Sequence, residues 1–427
     1  MNKKKKASVS KKPKTKPKTA VKAKGKEKPK LSSEERSKRL FKRFICTFLA
    51  ILLLAGAIFG GIAVVRNYNA VIKYNGIYVN EGVANYLTSS YKYDFMVYVS
   101  NTGVECYDSD YFWLSEAEEG KTWGDVLTES AEQYVKKIVV GAYLFDKNTS
   151  LSSSDRDVID QAVDEVLEYK ADGDVDKFNE MSDAMGFTFK DFKKAAELLY
   201  KAEMAEKVIF GYDGSALSGG DFAPECQEYF ETSYSRVKLL FIRTDGELGY
   251  DEEVGKVVIS EYDETTRDKV VADIEDIRTY IYNLQNEIVG EQMTESAFNF
   301  YINRYPTTSE ANDRRGYYFS DSSSYSLEFA EDAPEIVRLA LTMKEGEYAE
   351  VELDFGVCFI YKCPIESSAY LSLELTHFFE DFYANASSYI YDISVDSYLS
   401  EVTVKDKYDA DSVVSRPYNY ELSVIFG

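Results

Sequence analysis

Apolar and polar residues alternate along this chain with a few distinct periods. From Phe44 to Val65 every one of 22 residues is uncharged and most are apolar. At about 1.5 Å per residue such a run reaches roughly 33 Å, which predicts a helix crossing a bilayer core of about 30 Å. Beyond it, Val71 to Tyr74 and Ile77 to Val79 flank an Asn75-Gly76 turn, the signature of a hairpin. Asn80 is placed to cap a helix that carries Val83, Leu87 and Tyr91 on one face. A looser aromatic stretch follows from Val104 to Leu114. A second helix is predicted with Leu127, Ala131, Val135, Ile138 and Ala142 in one stripe. A third starts at the serine run 152–154 and carries Ile159, Val163 and Val166. Gly186 breaks the chain, and Thr188, with Asp191 three residues on, caps a helix with Phe192, Ala195, Leu199 and Ala202 inside.

The second half changes period. Residues 213–235 are Gly/Ser-rich and then helical. Arg236 to Ile242 reads as a buried strand. A charged insertion, Asp245 to about Asp268, leads into a long helix ending near Ile288. Next come Arg315-Gly316-Tyr317-Tyr318-Phe319, an amphipathic segment from Glu335 to Met343, a Lys344-Glu345-Gly346-Glu347 turn and a closing strand from Phe355 to Lys362. Leu373 to Leu399 suits a final helix burying Phe378, Phe382, Ile390 and Tyr398.

Charge sharpens the division. Residues 1–43 hold 19 Lys/Arg against 3 Asp/Glu, a net of +16, so the whole-chain value of -23 leaves about -39 on the remainder. That imbalance predicts a basic, disordered tail at 1–43, rich in Lys and Pro, drawn to anionic lipid head groups rather than to nucleic acid. With an anchor at 44–65, the cations place the N-terminus in the cytoplasm and the main domains outside, a single-pass membrane protein. A cleaved signal peptide, with Ala55-Gly56-Ala57 as its cleavage site, is the alternative. The basic leader is long and the apolar run continues to Val65, which favours the anchor.

Little in the sequence points to metal or nucleophile chemistry. The spacings of Cys106, Cys226, Cys358 and Cys363 fit no zinc pattern. Cys358 and Cys363 stand an odd number of residues apart on a strand and face opposite sides; a Cys106–Cys226 pair is left open, with free thiols as the default. Asp172-x-Asp174-x-Asp176 hints at calcium, but the sixth position is Lys177 where an EF-hand loop needs glycine. His377 is the only histidine in the chain. No cofactor or metal is implied.

The opening hairpin with its capped helix, and the Met185-Gly186-Phe187-Thr188 junction, resemble the N-terminal chaperone domain of the SurA/PrsA family of extracytoplasmic foldases. The order of elements from Arg236 to Cys363, above all Gly346 to Lys362, resembles a parvulin-type prolyl isomerase domain. The resemblance implies an α+β fold in six parts. These are the tail (1–43), the transmembrane helix (44–65), a mostly helical chaperone domain (69–211), a linker (212–235), a parvulin-like domain (236–366) and a C-terminal helical segment (367–427) that returns to the chaperone domain.

It also implies a pocket. Parvulins place a histidine on the first strand, a Cys or Asp nearby, Met and Phe around the proline ring, and a histidine on the last strand. Aligned by motif, these positions hold Leu239, Tyr305-Pro306, Asp332, Ile336 and Cys358. Leucine donates no hydrogen bond and a thiol donates weakly. The expectation is therefore a chaperone for unfolded or newly exported polypeptides whose isomerase pocket is degenerate. The alternatives are an active isomerase with a rearranged pocket and an envelope interaction scaffold. The chain holds 35 tyrosines and 25 phenylalanines. Of these and the tryptophans, Tyr107, Tyr111, Phe112, Trp113, Tyr317, Tyr318 and Phe319 are the candidate client contacts, since aromatic rings bury large areas with few rotors to freeze.

Overall fold

The computed structural model describes residues 65–251, 255–287, 291–304, 315–321, 333–406 and 408–426. Residues 67–427 make up one compact unit. Strands β1 (Ala70–Tyr74) and β2 (Ile77–Asn80) form the expected hairpin, with Asn75 and Gly76 both in the left-handed region. Asn80 then caps α1 (Glu81–Asn101), its side-chain oxygen accepting from the Val83 amide at 3.2 Å. A four-residue helix, α2 (Asp110–Trp113), and a small hairpin, β3 (Glu116–Glu118) and β4 (Lys121–Thr122), lead into α3 (Trp123–Asn148).

Helices α4 (Ser153–Ala171), α5 (Val175–Ser182) and α6 (Phe189–Phe210) complete the helical region. Full capping boxes start α3 (Thr122/Asp125), α4 (Ser152/Asp155) and α6 (Thr188/Asp191). Each satisfies amides the helix leaves open at its first turn. Gly186, at φ +76°, turns the chain just before Thr188, and a Cβ there would meet the Asn85 amide nitrogen at 2.7 Å. The Asp172–Asp174 stretch is a turn, and Asp176 lies in the first turn of α5. Asp174 caps α5 and Asp172 pairs with Lys177. Among the described residues no group of His, Cys, Asp and Glu is placed to hold a metal ion.

Residues 223–233 form α7, whose Tyr229 and Phe230 are buried. It runs directly into the four-stranded antiparallel sheet, order β8-β5-β10-β9, where β5 is Tyr234–Arg243, β8 Tyr317–Ser320, β9 Tyr348–Leu353 and β10 Gly356–Cys363. The charged insertion contains a hairpin, β6 (Gly246–Asp251) with β7 (Lys256–Glu261), before α8 (Glu264–Glu287) and α9 (Glu291–Arg304). Helix α10 (Ala333–Thr342) covers the other face.

Strand β5 is buried on both faces, which is why it reads as a continuous apolar run. Val237, Leu239 and Phe241 point into the layer shared with α10, while Leu240 and Ile242 point into the layer shared with α8 and α9. The exceptions on the second face are Arg236 and Lys238. Glu295 on α9 meets both, at 3.1 Å and 3.4 Å, so neither charge is buried alone. Gly356 begins β10 because a Cβ there would run into the Ile242 carbonyl.

The C-terminal segment does not form one helix from Leu373. A 3-10 turn spans Leu373–Phe378, and α11 (Phe382–Leu399) starts only after it. Phe378, Phe382 and Ile390 are buried there as expected, and Tyr398 is half-buried. From α11 the chain reaches β11 (Thr403–Val404), which pairs antiparallel with β1, Ile72 opposite Val404. Val395, Val402, Tyr408 and Leu422 join the core of the helical region. A last short helix, α12 (Ser412–Ser415), follows.

One expectation is overturned. No helix among the described residues is long and apolar enough to cross a membrane. The longest of them are amphipathic. Helix α3, for example, carries Asp125, Glu129, Glu132, Lys136, Lys137, Asp146 and Lys147 around its apolar stripe. The transmembrane helix at 44–65, its bilayer contact and the single-pass location drawn from it are therefore withdrawn. Residues 1–64, with the basic tail and its lipid contacts, lie outside the described residues.

Candidate polypeptide-binding surface

The positions that the parvulin resemblance assigns to a pocket come together only in part. Leu239, Ile336 and Cys358 belong to one apolar cluster and are 1%, 0% and 0% exposed. Leu239 stands opposite Ile360 and Cys358 opposite Phe241, so all four side chains share one face. Ile336 and Ala340 of α10 close over them, and Leu375, Phe378 and Phe379 of the C-terminal segment join the same layer. The Cys358 thiol points its weak donor at its neighbour's carbonyl, that of Phe359, at 3.8 Å. Burial pushes this thiol well above its usual range, which makes it neither a nucleophile nor an ionisable hydrogen-bond partner. Tyr305, Pro306 and Asp332 lie outside the described residues.

This face is chemically a packed core. A twisted prolyl amide needs a cleft to enter and a donor beneath it, and these three positions supply neither. A polar contact in the same region lies at the far end of β10. There Lys362 reaches the Ala340 carbonyl at 2.7 Å and the Ser235 hydroxyl. Burial lowers the affinity of that ammonium for its proton. It ties α10 to the sheet. His377, the single histidine, is exposed in the 3-10 turn, its ring 4.1 Å from that of Phe378.

The seven aromatic candidates separate by burial. Tyr317, Tyr318 and Phe319 occupy β8, which is covered on both sides. The Tyr317 and Phe319 rings stack at 6.1 Å, and Tyr318 lies 5.4 Å from Phe379. Phe112 and Trp113 are likewise core, packed with Phe95, Val99, Leu127 and Ala131. These five cannot touch a client in this conformation. Tyr107 and Tyr111 remain in solvent, 64% and 87% exposed.

The local physics explains the split. Helix α2 is one turn long, capped by Ser109, and its Phe112 and Trp113 anchor it while Tyr111 and the adjoining Leu114 face outward. The anchor is reinforced by Lys92. Its buried ammonium lies 2.6 Å from the Asp108 carboxylate, donates to the Val414 and Arg416 carbonyls at 2.9 Å and 2.7 Å, and sits 5.0 Å from the Trp113 ring centre. Asp108 also accepts from the Trp113 indole at 2.8 Å. One cation thus binds α1, the 107–114 stretch and the C-terminal end of α12. Next to it on α1, Tyr93 packs loosely with Tyr418 and Tyr420, ring centres 5.6–6.0 Å apart, and Tyr98 is exposed. The tyrosine trio brings together residues more than 300 positions apart, beyond the reach of any local sequence pattern.

The arrangement is a set of solvent-facing rings held on a rigid base. Such rings can pack against apolar side chains of an extended chain. No protein-family model matches the chain, and no curated protein matches it. Among solved structures it is similar to PrsA from Bacillus subtilis, at 15% identity over 70% of this chain and 94% of that one, TM-score 0.17. It is also similar to the peptidylprolyl isomerase PrsA from Bacillus anthracis, at 14% identity over 62% and 94% of the two chains, TM-score 0.22. A third is the foldase protein PrsA from Lactococcus lactis, at 12% identity over 81% and 98%, TM-score 0.20. At these TM-scores the likeness carries no functional weight of its own.

Proposed function

We propose that this chain binds unfolded polypeptides as a folding factor, and that its four-stranded sheet is a scaffold for binding rather than a catalyst of prolyl isomerisation. In this reading residues 69–211 together with 367–427 form the capturing part. The observation that carries it is the contrast between two surfaces. The face that would hold an isomerase pocket is closed by Leu239, Ile336 and Cys358, while Tyr107, Tyr111 and Leu114 are left in solvent on an anchored turn. Large apolar side chains held in water by a rigid base lower the entropic cost of capturing an extended chain. Capture alone reduces the free concentration of aggregation-prone segments and needs no chemistry. Newly exported chains are the client class in this reading.

The test is suppression of aggregation of a chemically unfolded, reduced client protein by the full-length chain, compared with a Tyr107→Ser/Tyr111→Ser/Leu114→Ser variant. The natural chain is expected to suppress aggregation at near-stoichiometric ratios and the variant to do so several-fold less well. Equal failure of both to suppress it contradicts the reading.

A further inference from the structure

Away from the rings just described, helix α4 and the C-terminal segment 421–425 enclose a groove of about 520 Å³. Its size falls within the range of about 300–1,000 Å³ that takes a small ligand or a few side chains. Ile159 and Val163 of α4 point into the core, so the groove lies along the outer flank of the helix. Val166 and Ile425 line it, and Tyr169 stands at its side. Tyr169 is 83% and Ile425 is 82% exposed, two large apolar side chains that the fold leaves uncovered at the same place.

The lining is also charged with one sign. Glu165, Glu168 and Glu421 contribute three carboxylates, against the single ammonium of Lys170. Lys170 is directed to the Tyr169 ring, 5.1 Å from its centre. That contact is a small-scale example of what the site can do, since the face of a tyrosine ring attracts a cation, and more strongly once a bound segment excludes water from the pair. The carboxylates are only lightly engaged. Glu165 accepts a hydrogen bond from Gln161 at 2.8 Å, and Glu421 one from the Tyr420 hydroxyl at 2.9 Å. An apolar floor under an acidic rim is complementary to a segment that carries Lys or Arg beside an apolar side chain, and repels an acidic one.

We infer that this groove is a second polypeptide-binding site, selective for cationic segments with a neighbouring apolar residue. It would act as the part of the folding factor that sorts clients by charge. The inference rests on the polypeptide-binding reading and names a client class for it.

The test is fluorescence anisotropy on the full-length chain with two labelled hexapeptides, Lys-Leu-Lys-Phe-Lys-Leu and its counterpart with Glu in place of every Lys. The variants are Glu165→Gln/Glu168→Gln/Glu421→Gln and Ile425→Ser, whose side chains sit in or at the edge of solvent and leave the core intact, with circular dichroism as the folding check. The lysine peptide is expected to bind, the glutamate peptide not. Affinity is expected to fall about ten-fold in the triple variant and to weaken as salt rises from about 50 to about 500 mM. Ile425→Ser is expected to weaken binding without changing the salt dependence. Two outcomes overturn the inference. Lysine-peptide binding that survives both variants but is lost in the Tyr107/Tyr111/Leu114 variant removes the groove and leaves the general reading standing. Binding of neither peptide, with no aggregation suppression, removes both.

Discussion

Leu239 stands directly opposite Ile360 on adjacent antiparallel strands, and both side chains enter the layer that also holds Cys358 and Ile336. The pairing fixes what the position can tolerate. A leucine facing an isoleucine under a helix is a packing contact, so a polar ring in its place would be desolvated without a partner. Leu239→His is expected to lower the unfolding free energy by about 2–4 kcal/mol, measured by urea denaturation. Cys358→His, larger than the thiol it replaces in a fully buried site, is expected to cost at least about 1–3 kcal/mol through overpacking. Restoring the missing histidines one at a time therefore damages the fold before it builds a catalyst.

Lys92 supports the exposed rings from beneath. Replacing it with Met keeps the length of the side chain but leaves the Val414 and Arg416 carbonyls without their donor and Asp108 without its counter-charge. Breaking such a buried pair from one side costs about 3–5 kcal/mol. Lys92→Met is expected to destabilise by that amount and to speed hydrogen exchange in residues 413–419 ahead of the sheet. Uniform acceleration across the chain would show that Lys92 has no special hold on this segment.

The thiols provide a check on packing. Cys226, Cys358 and Cys363 are buried and Cys106 is partly exposed, all four of them free. Burial raises all four thiols above their usual range, and Cys363 to about 12. Among these four, iodoacetamide near pH 8 is expected to modify Cys106 alone in the folded chain, read by peptide mapping. Modification of Cys358 without denaturant would mean that the layer under α10 opens.

Alkaline conditions should be unusually damaging. Burial pushes Tyr134 and Tyr234 from an ordinary value of 10 up to about 12, as it does the Cys363 thiol from 9. Each folded-state value lies above the unfolded one, so the associated stability is intact below pH about 9 and is lost as pH climbs toward 12. The urea midpoint is expected to hold steady up to pH about 9 and to fall steeply between about 10 and 12, with tyrosine ionisation tracking unfolding. A midpoint that stays flat to pH about 12 would contradict the burial of these groups.

Much of this architecture was legible because local chemistry decides it. Asn80, Ser152 and Thr188 start helices as their side chains predict, and the strand-helix-strand order from 236 to 363 follows the apolar pattern. The hairpin at 246–261 was hidden, since its Gly, Asp, Lys and Glu residues obscure the strand period. Three of the seven aromatic candidates, Tyr317, Tyr318 and Phe319, are buried for a related reason. Tyr317-Tyr318-Phe319 reads as a ring-rich loop, yet pairing with β5 makes it an edge strand that α10 and the 373–379 turn then cover. Nothing in the local pattern marks Lys92 as buried. Its partner carbonyls lie 322 and 324 residues away, beyond any window in which a sequence pattern can be counted.

The most direct test of the account is a protease-free prolyl isomerisation assay on the full-length chain with several X-Pro peptides. The packed face formed by Leu239, Ile336 and Cys358 predicts interconversion at the uncatalysed rate, whose barrier is about 18–20 kcal/mol. Acceleration well above that background, proportional to protein concentration, would show that the face opens to a peptide and that this chain is an isomerase.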